Sequence, residues 1–167
     1  AGKLNSAKGY DIFGKAIIRI LEKYKKWSSI VIGDEPRENI VFKHKRLNIL
    51  GFQKHNKVLD IFKHSSIAVA CSRWEEPFGR TSLEASSRGC AVIISNRGGL
   101  PETITNGLIL RELNEEKLFL AIKSLIINEK RLKKLQSQSL NNFKLTDFNA
   151  SKLIDNYRQK IITNKFN

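Results

Sequence analysis

The sequence predicts an α/β fold, a Rossmann-like parallel sheet with helices on both faces followed by a helical C-terminal segment. Short and almost entirely apolar runs alternate with longer segments in which apolar residues recur at helical spacing. The apolar runs lack the polar alternation of half-exposed strands, which indicates burial on both faces. A helix between two such strands implies a right-handed crossover, and this connection makes the strands parallel.

The elements of the first part follow in chain order. Apolar residues at i, i+1, i+4 and i+5 predict an amphipathic helix over residues 9–26. Residues 29–34 and 47–52 have the composition of buried strands. The segment between them carries one short apolar run, and we expect a minor strand at residues 40–42.

The second part continues the alternation. A short helix is predicted over residues 55–65, a strand over 67–71, a helix over 80–88 and a strand over 91–95. Gly89 is expected to end its helix in the left-handed conformation. The remainder is expected to be helical, and apolar residues at helical spacing mark three helices. These residues lie between 118 and 126, between 132 and 143, and between 153 and 161.

Length and charge restrict the class of protein. A chain of 167 residues suits one domain, so we expect residues 1–167 to form a single domain. Thirty Lys and Arg against sixteen Asp and Glu give a net charge of +14. Such a charge suits phosphorylated ligands, nucleic acid or anionic lipid, and it is also compatible with solvated lysine faces alone. No apolar run approaches the roughly 18 to 20 residues of a membrane span, so a cytoplasmic protein is expected.

Cysteine and histidine usage does not indicate a metal site. Cys71 and Cys90 each lie in an apolar run and are expected to be buried free thiols. His44, His55 and His64 are not paired at ligand spacing with each other or with a cysteine, so no metal is expected. The chain contains no Met, even at position 1, and we expect it to be an excised part of a longer protein.

The most informative segment is EPFGRTSLE at residues 76–84, which is followed by GGLPE at residues 98–102. It places two glutamates eight residues apart around a Gly-Arg turn that opens a helix. A helix N-terminus offers unpaired N–H groups and a positive dipole end to a phosphate. Ionised carboxylates accept hydrogen bonds from hydroxyl groups. A sugar nucleotide carries both kinds of group.

Three loops are expected to meet in one crevice, because ligands of open parallel sheets bind beyond the carboxyl ends of the strands. Residues 72–79 and 96–101 each follow a predicted strand. Residues 2–4 are expected to end a first strand that begins before residue 1, which puts Lys3 and Lys8 in the loop after it.

Each part of a nucleoside-diphosphate sugar has a candidate partner. The diphosphate needs cations and N–H donors, which lysine, arginine and a helix start supply without a metal. These candidates are Lys3, Lys8, Arg80 and the backbone at Gly79 and Thr81. Glu84, one turn after Arg80, is placed to accept the ribose hydroxyls, and Glu76 is placed to reach the transferred sugar. Gly98 and Gly99 would let the backbone approach the ligand closely.

These motifs resemble the C-terminal, donor-binding half of group 1 (family 4) glycosyltransferases of the GT-B fold, over nearly the whole chain. The resemblance implies that Glu76 contacts the donor sugar and that Glu84 contacts the ribose. It also implies that Gly2-Lys3 and Lys8-Gly9 hold the diphosphate and that Gly51-Phe52 brackets the base. Lysine replaces the family's usual arginine. A compact ammonium charge therefore replaces a guanidinium group that can donate two parallel hydrogen bonds to a phosphate.

The resemblance further implies a transferase that moves a hexosyl unit from a nucleoside-diphosphate sugar to an acceptor hydroxyl in glycan or lipopolysaccharide biosynthesis. Configuration would be retained, without metal or cofactor, and Glu76, Lys3 and Lys8 would act in catalysis. The expected partners are the donor, the missing N-terminal acceptor domain, and a lipid-linked or saccharide acceptor at the inner membrane surface, but not nucleic acid. Alone, this chain is expected to bind its donor but hardly to catalyse.

Alternatives remain open at this point. A basic module that binds nucleic acid or anionic membranes would explain the charge, although no recognised nucleic-acid motif is present. Another nucleotide-sugar enzyme of the same fold, such as an epimerase or a phosphorylase, would be expected to lack the EPFG motif with its spaced glutamate. Single residues also have structural alternatives. Lys3 and Lys8 could be solvated, Arg80 could pair locally, and Trp74 could pack as well as stack on a base or sugar.

Overall fold

The computed structural model describes residues 1–165 and contains parallel strands in two sheets. One sheet pairs β1 (Ser29–Val31) with β2 (Leu47–Ile49), and the other has the order β3 (Ile67–Ala70), β4 (Ala91–Ser95), β5 (Gly107–Leu110). Each of these three pairings is parallel. The predicted parallel α/β architecture is therefore confirmed.

The described residues contain six helices. They are α1 (Tyr10–Lys23), α2 (His55–Lys63), α3 (Arg80–Ser87), α4 (Glu115–Ile126), α5 (Glu129–Asn141) and α6 (Asp147–Lys165), with a short 3₁₀ helix at Leu100–Thr103. Within residues 1–165, no helix combines the length and the apolar content that a membrane crossing requires.

Strand β4 lies at the centre of the core, and all five of its residues are buried. Because side chains alternate along a strand, Ile93 packs into a cluster formed with α1 and α4. Val92 and Ile94 face the opposite side and pack with Phe62 of α2 and Ala85 of α3. Helices therefore cover both faces of this sheet, as the continuous apolar run of β4 predicts.

Two details of the strand prediction are wrong. Residues 40–42 form no strand. The Phe42 ring instead meets the Tyr10 ring edge-on, with centroids 5.6 Å apart, and occupies the space that a side chain at position 14 would need. Residues 107–110, which lie in the part expected to be helical, form β5 instead. Gly107 permits this pairing, because a Cβ atom there would lie 2.6 Å from the Val92 carbonyl oxygen.

Residues 2–4 are not part of a regular strand. Their backbone nevertheless makes the hydrogen bonds expected of a strand end. The Gly2 N–H donates to the Ile32 carbonyl (2.9 Å) and the Leu4 N–H donates to the Asp34 carbonyl (3.2 Å). Donors and acceptors advance together by two residues, which is the pattern of a parallel pair. The N-terminal segment therefore runs alongside the extension of β1 and leads into the loop before α1.

Candidate functional site

Three loops meet at the carboxyl ends of β3 and β4, as expected. The N–H groups of Arg73 and Trp74 donate to the Ala7 carbonyl at 2.9 and 3.1 Å, which joins the loop after β3 to the loop before α1. The Gly99 N–H donates to the Glu76 carbonyl at 2.7 Å and joins the loop after β4 to the same place. A cavity of about 840 Å³ opens here and extends between the two sheets.

The cavity brings together seven of the predicted site residues. Its lining includes Gly2, Lys3, Lys8, Glu76, Gly79, Arg80 and Thr81. Lys3 is exposed, and the Thr81 hydroxyl donates to the Ala1 carbonyl at 3.3 Å. Cations from the first loop and the start of α3 thus line the same cavity.

Lys8 and Glu76 form an ion pair at the centre of the site, across 68 residues of sequence. The Glu76 side chain is only 13% exposed, whereas that of Lys8 is 36% exposed. The Lys8 N–H donates to the Asn5 side chain at 2.9 Å, which fixes the loop that carries the ammonium group. A cation and an acceptor are therefore held side by side in the site.

The start of α3 is suited to bind an anion. Its N-cap is Gly79, with φ of 89°, and no side chain among residues 1–165 caps the helix. The first N–H groups of α3 therefore remain for solvent or a ligand, at the positive end of the helix dipole. A side chain at position 79 would also approach Leu100, because a Cβ atom there would lie 2.5 Å from a Leu100 methyl carbon.

Glu84 lies one turn into α3 between two basic side chains. Its Oε1 atom is 3.5 Å from Arg80 Nη2 and 3.8 Å from His55 Nδ1. The Glu84 side chain is 18% exposed, whereas that of Arg80 is 77% exposed. The carboxylate is thus sheltered but reachable, while Arg80 is free to turn towards a ligand. The proximity of His55, at the start of α2, was not predicted from the sequence.

Gly98 and Gly99 have a structural reason to be glycine. A Cβ atom on Gly98 would lie 2.3 Å from the Glu76 carbonyl oxygen, and one on Gly99 would lie 2.6 Å from the Pro77 carbonyl oxygen. Glu75 strengthens this contact by accepting hydrogen bonds from the Gly98 N–H and from Arg97. The two glycines let the loop after β4 support the loop that carries Glu76.

A polar network that sequence reasoning missed anchors the loop before α1. The buried Glu35 carboxylate accepts from Asn5 at 3.3 Å and from two nitrogens of Arg37 at 2.7 and 2.9 Å. These guanidinium hydrogen bonds lower the pKa of the Glu35 carboxyl to about 2. Glu38 also accepts from the Ser6 N–H at 2.8 Å. The residues after β1 therefore position the loop that carries Lys8.

The base-binding candidates lie apart from the cavity. Gly51 and Phe52 follow β2, and neither is among the residues of the described chain that line the cavity. The Phe52 side chain is 76% exposed, and Trp74 is 60% exposed. A role of Gly51-Phe52 in base recognition stays a prediction.

The two cysteines are buried, as expected. Burial raises the pKa of each thiol, Cys71 and Cys90, to about 12. Both thiols are therefore protonated near neutral pH and are not poised as nucleophiles. Within residues 1–165, no group of three or more His, Cys, Asp or Glu side chains is arranged to hold a metal ion.

Comparison with known proteins gives a consistent family match. Residues 1–141 match the family model described as "Glycosyl transferases group 1". Spore coat protein SA of Bacillus subtilis is 31% identical over 137 residues, which are 71% of this chain and 36% of that protein. The lipopolysaccharide core biosynthesis mannosyltransferase LpcC of Rhizobium leguminosarum is 30% identical over 116 residues, covering 64% of this chain and 33% of that protein. The chain spans about a third of the length of these relatives.

Solved structures show the same fold. The C-terminal domain of the group 1 glycosyl transferase LpcC from Francisella tularensis superimposes with a TM-score of 0.75 at 28% identity, over 84% of this chain and 80% of that one. HepE of Anabaena, solved in complex with UDP, superimposes with a TM-score of 0.73 at 18% identity, over 97% of this chain and 48% of that one.

Proposed function

The chain belongs to the group 1 glycosyl transferases, and from this premise we propose that it is the half of a glycosyltransferase that binds the nucleoside-diphosphate sugar. The complete enzyme would pass the glycosyl unit to an acceptor hydroxyl. One observation carries the proposal, namely the uncapped start of α3 on a cavity that Lys8 and the sheltered Glu76 also line, with the sheltered Glu84 carboxylate one turn into the same helix.

The diphosphate is proposed to lie between the start of α3 and the loop before α1. The free N–H groups of α3 and the Arg80 guanidinium would bind it from one side, and Lys3 and Lys8 from the other. Lys8 would then exchange its contact with Glu76 for a phosphate oxygen. The exchange would free the Glu76 carboxylate to accept a hydroxyl of the donor sugar.

The nucleoside end is proposed to lie beside Glu84, whose carboxylate would accept both ribose hydroxyls. Gly51-Phe52 would bracket the base, and Gly98 and Gly99 would keep the Glu76 loop close to the ligand. This order puts the sugar, the diphosphate and the ribose along one path over the carboxyl ends of the strands.

In the reaction, negative charge grows on the departing diphosphate. Fixed cations and N–H donors aimed at that charge lower the barrier, so Lys3, Lys8, Arg80 and the start of α3 would supply the main electrostatic contribution. These groups bind phosphate without a metal, and we propose metal-independent transfer without a cofactor. Retention of anomeric configuration is also part of the proposal and rests on the family resemblance.

The proposal also includes two partners of the site, an N-terminal domain and an acceptor. An N-terminal domain would supply the acceptor site and close over the cavity. One relative is named for lipopolysaccharide core biosynthesis, and the net charge of +14 suits an anionic surface. We therefore propose a lipid-linked or saccharide acceptor and a cytoplasmic protein that associates with the inner face of the membrane.

A thermal-shift panel of UDP, GDP and ADP sugars tests the proposed function. A ligand that binds only the folded state stabilises it by about 2.7 kcal/mol at one hundred times its Kd. For a chain of this size we expect one nucleotide family to raise the melting temperature by about 5–10 °C at that concentration. No shift with any of the three families would contradict the proposal.

Replacing Lys8 by methionine is expected to weaken UDP binding about tenfold, because one charge-assisted phosphate contact is lost at a partly exposed position. Lys8→Arg should retain most of the affinity. Lys134→Met removes the same charge from an exposed position on α5 and should leave UDP affinity unchanged. Calorimetric titration of UDP into the three variants measures these affinities. If Lys8→Met and Lys134→Met weaken UDP binding equally, Lys8 contributes only through the net charge of the chain.

A further inference from the structure

The loop after β3 carries two exposed aromatic side chains, Trp74 and Phe78, which lie two residues before and two residues after Glu76. The Phe78 side chain lines the cavity in which the donor is proposed to bind. Trp74 is 60% exposed and is not among the described residues that line this cavity. A donor in the cavity would therefore contact Phe78 and leave the indole ring of Trp74 open to a second ligand.

Hydrogen bonds hold the backbone of Trp74 in place. Its N–H donates to the Ala7 carbonyl, and its carbonyl accepts from the Ser72 hydroxyl at 3.1 Å. The Ser72 carbonyl accepts in turn from the hydroxyl of Ser95, a buried residue at the end of β4, at 2.6 Å. An aromatic side chain on an anchored backbone loses little conformational entropy when a ligand covers it. Trp74 is therefore suited to be a fixed contact surface.

The residues on either side of Trp74 in the chain form ion pairs. The Arg73 guanidinium donates to both carboxylate oxygens of Asp11, at 2.6 and 2.7 Å. Glu75 accepts from Arg97 at 3.1 Å. All four charged side chains remain accessible to solvent. An aromatic face bordered by charged donors and acceptors matches a pyranose ring, which has apolar C–H faces and a rim of hydroxyl groups.

We propose that a sugar ring of a saccharide acceptor stacks on Trp74 and that the flanking ion pairs bind hydroxyl groups of this ring. The inference rests on the proposed function and specifies the chemical class of its acceptor. Two residues of chain span at most about 7 Å, so a sugar on Trp74 would lie beside the donor sugar that Glu76 is proposed to contact. Trp74 would thus complete, from the donor side, the acceptor site proposed for the N-terminal domain.

Tryptophan fluorescence tests the location of the saccharide. The chain has two tryptophans, Trp27 and Trp74, so Trp27→Phe leaves Trp74 as the only indole. This variant is titrated with maltose, cellobiose and mannobiose at millimolar concentrations. We expect at least one of them to shift the Trp74 emission to shorter wavelength, because a stacked sugar excludes water from the indole. An unchanged emission with all three disaccharides would overturn the proposal and favour a protein surface as the partner of Trp74.

Saturation-transfer NMR of the same disaccharide with variants of the chain tests the stacking itself. Trp74→Ala should weaken saccharide binding about tenfold, whereas Trp74→Tyr keeps an aromatic face and should weaken it by about threefold or less. Tyr157→Ala is the matched control, because Tyr157 of α6 is exposed to a similar extent, and it should leave saccharide binding unchanged. If Trp74→Ala and Tyr157→Ala have equal effects, the sugar does not stack on Trp74 and the proposal is wrong.

The donor site is tested separately from the acceptor contact. Trp74 lies outside the cavity lining among the described residues, so UDP should raise the melting temperature of Trp74→Ala as much as that of the unchanged chain. If UDP stabilises both proteins but no disaccharide binds, only the role of Trp74 is wrong. If a disaccharide binds at Trp74 but no nucleotide stabilises the chain, the contact with a saccharide stands and the proposed donor site is wrong.

Discussion

Replacing Glu84 by alanine is expected to weaken UDP binding by about 10- to 150-fold. The proposed contacts are hydrogen bonds from ribose hydroxyls to a carboxylate that is only 18% exposed, and hydrogen bonds to charged groups contribute about 1.5–3 kcal/mol. Folding should be little affected, since Glu84 pairs on its helix with the highly exposed Arg80. Calorimetric titration of UDP measures the affinity, and thermal unfolding without ligand checks the fold.

Glu129→Ala provides a matched control for Glu84→Ala. Glu129 also lies on a helix and also pairs with a cation four residues later, Lys133, but on α5. Its replacement should leave UDP affinity unchanged. If UDP binds Glu84→Ala as tightly as the unchanged chain, Glu84 does not bind the ribose.

Replacing Gly9 by alanine is expected to lower the free energy of unfolding by about 3 kcal/mol or more. Gly9 has φ of 70°, and a Cβ atom there would lie 1.9 Å from the Cys71 carbonyl oxygen. Left-handed backbone costs a non-glycine residue about 1–2 kcal/mol, and displacing a packed backbone adds about 1–3 kcal/mol. Because Gly9 joins the Lys8 loop to α1 over the end of β3, UDP affinity should fall as well. Urea denaturation measures the stability.

Gly51→Ala separates backbone strain from crowding at Gly9. Gly51 has a similar φ of 64°, but an added Cβ atom would meet nothing within 4 Å. Its replacement should therefore lower the free energy of unfolding by only about 1–2 kcal/mol. If both substitutions lower the free energy of unfolding equally, crowding of the added Cβ atom against Cys71 does not contribute to the loss at Gly9.

The sequence predicts those elements of the fold whose pattern of apolar residues matches the burial of those residues in the structure. The fully apolar run of β4 indicated a strand covered on both faces, and its five residues are buried. Strand β5 was missed because GLIL is a short run after a glycine, and its pairing depends on the close approach of Gly107 to Val92. The apolar pattern of residues 40–42 predicts a strand, because sequence alone does not show that Phe42 fills the space beside Gly14.

The candidate site was predictable as a set of loops but not as a set of contacts. The EPFG segment and the strand ends indicated where Glu76 and Lys8 would meet, although their ion pair joins residues 68 positions apart. Nothing local indicates that Glu35 anchors Asn5 or that His55 lies beside Glu84. Such contacts depend on how neighbouring crossovers pack, and a single sequence does not show this.

The most direct test of the donor site is to follow the backbone amide resonances of the chain by NMR while UDP is added. We expect the largest shifts at the start of α3, from Gly79 to Glu84, and at Lys8-Gly9 in the loop before α1. The amides of α5 and α6 should change little. Shifts confined to these two lysine-containing helices would contradict the donor site and favour a surface that binds anions through charge alone.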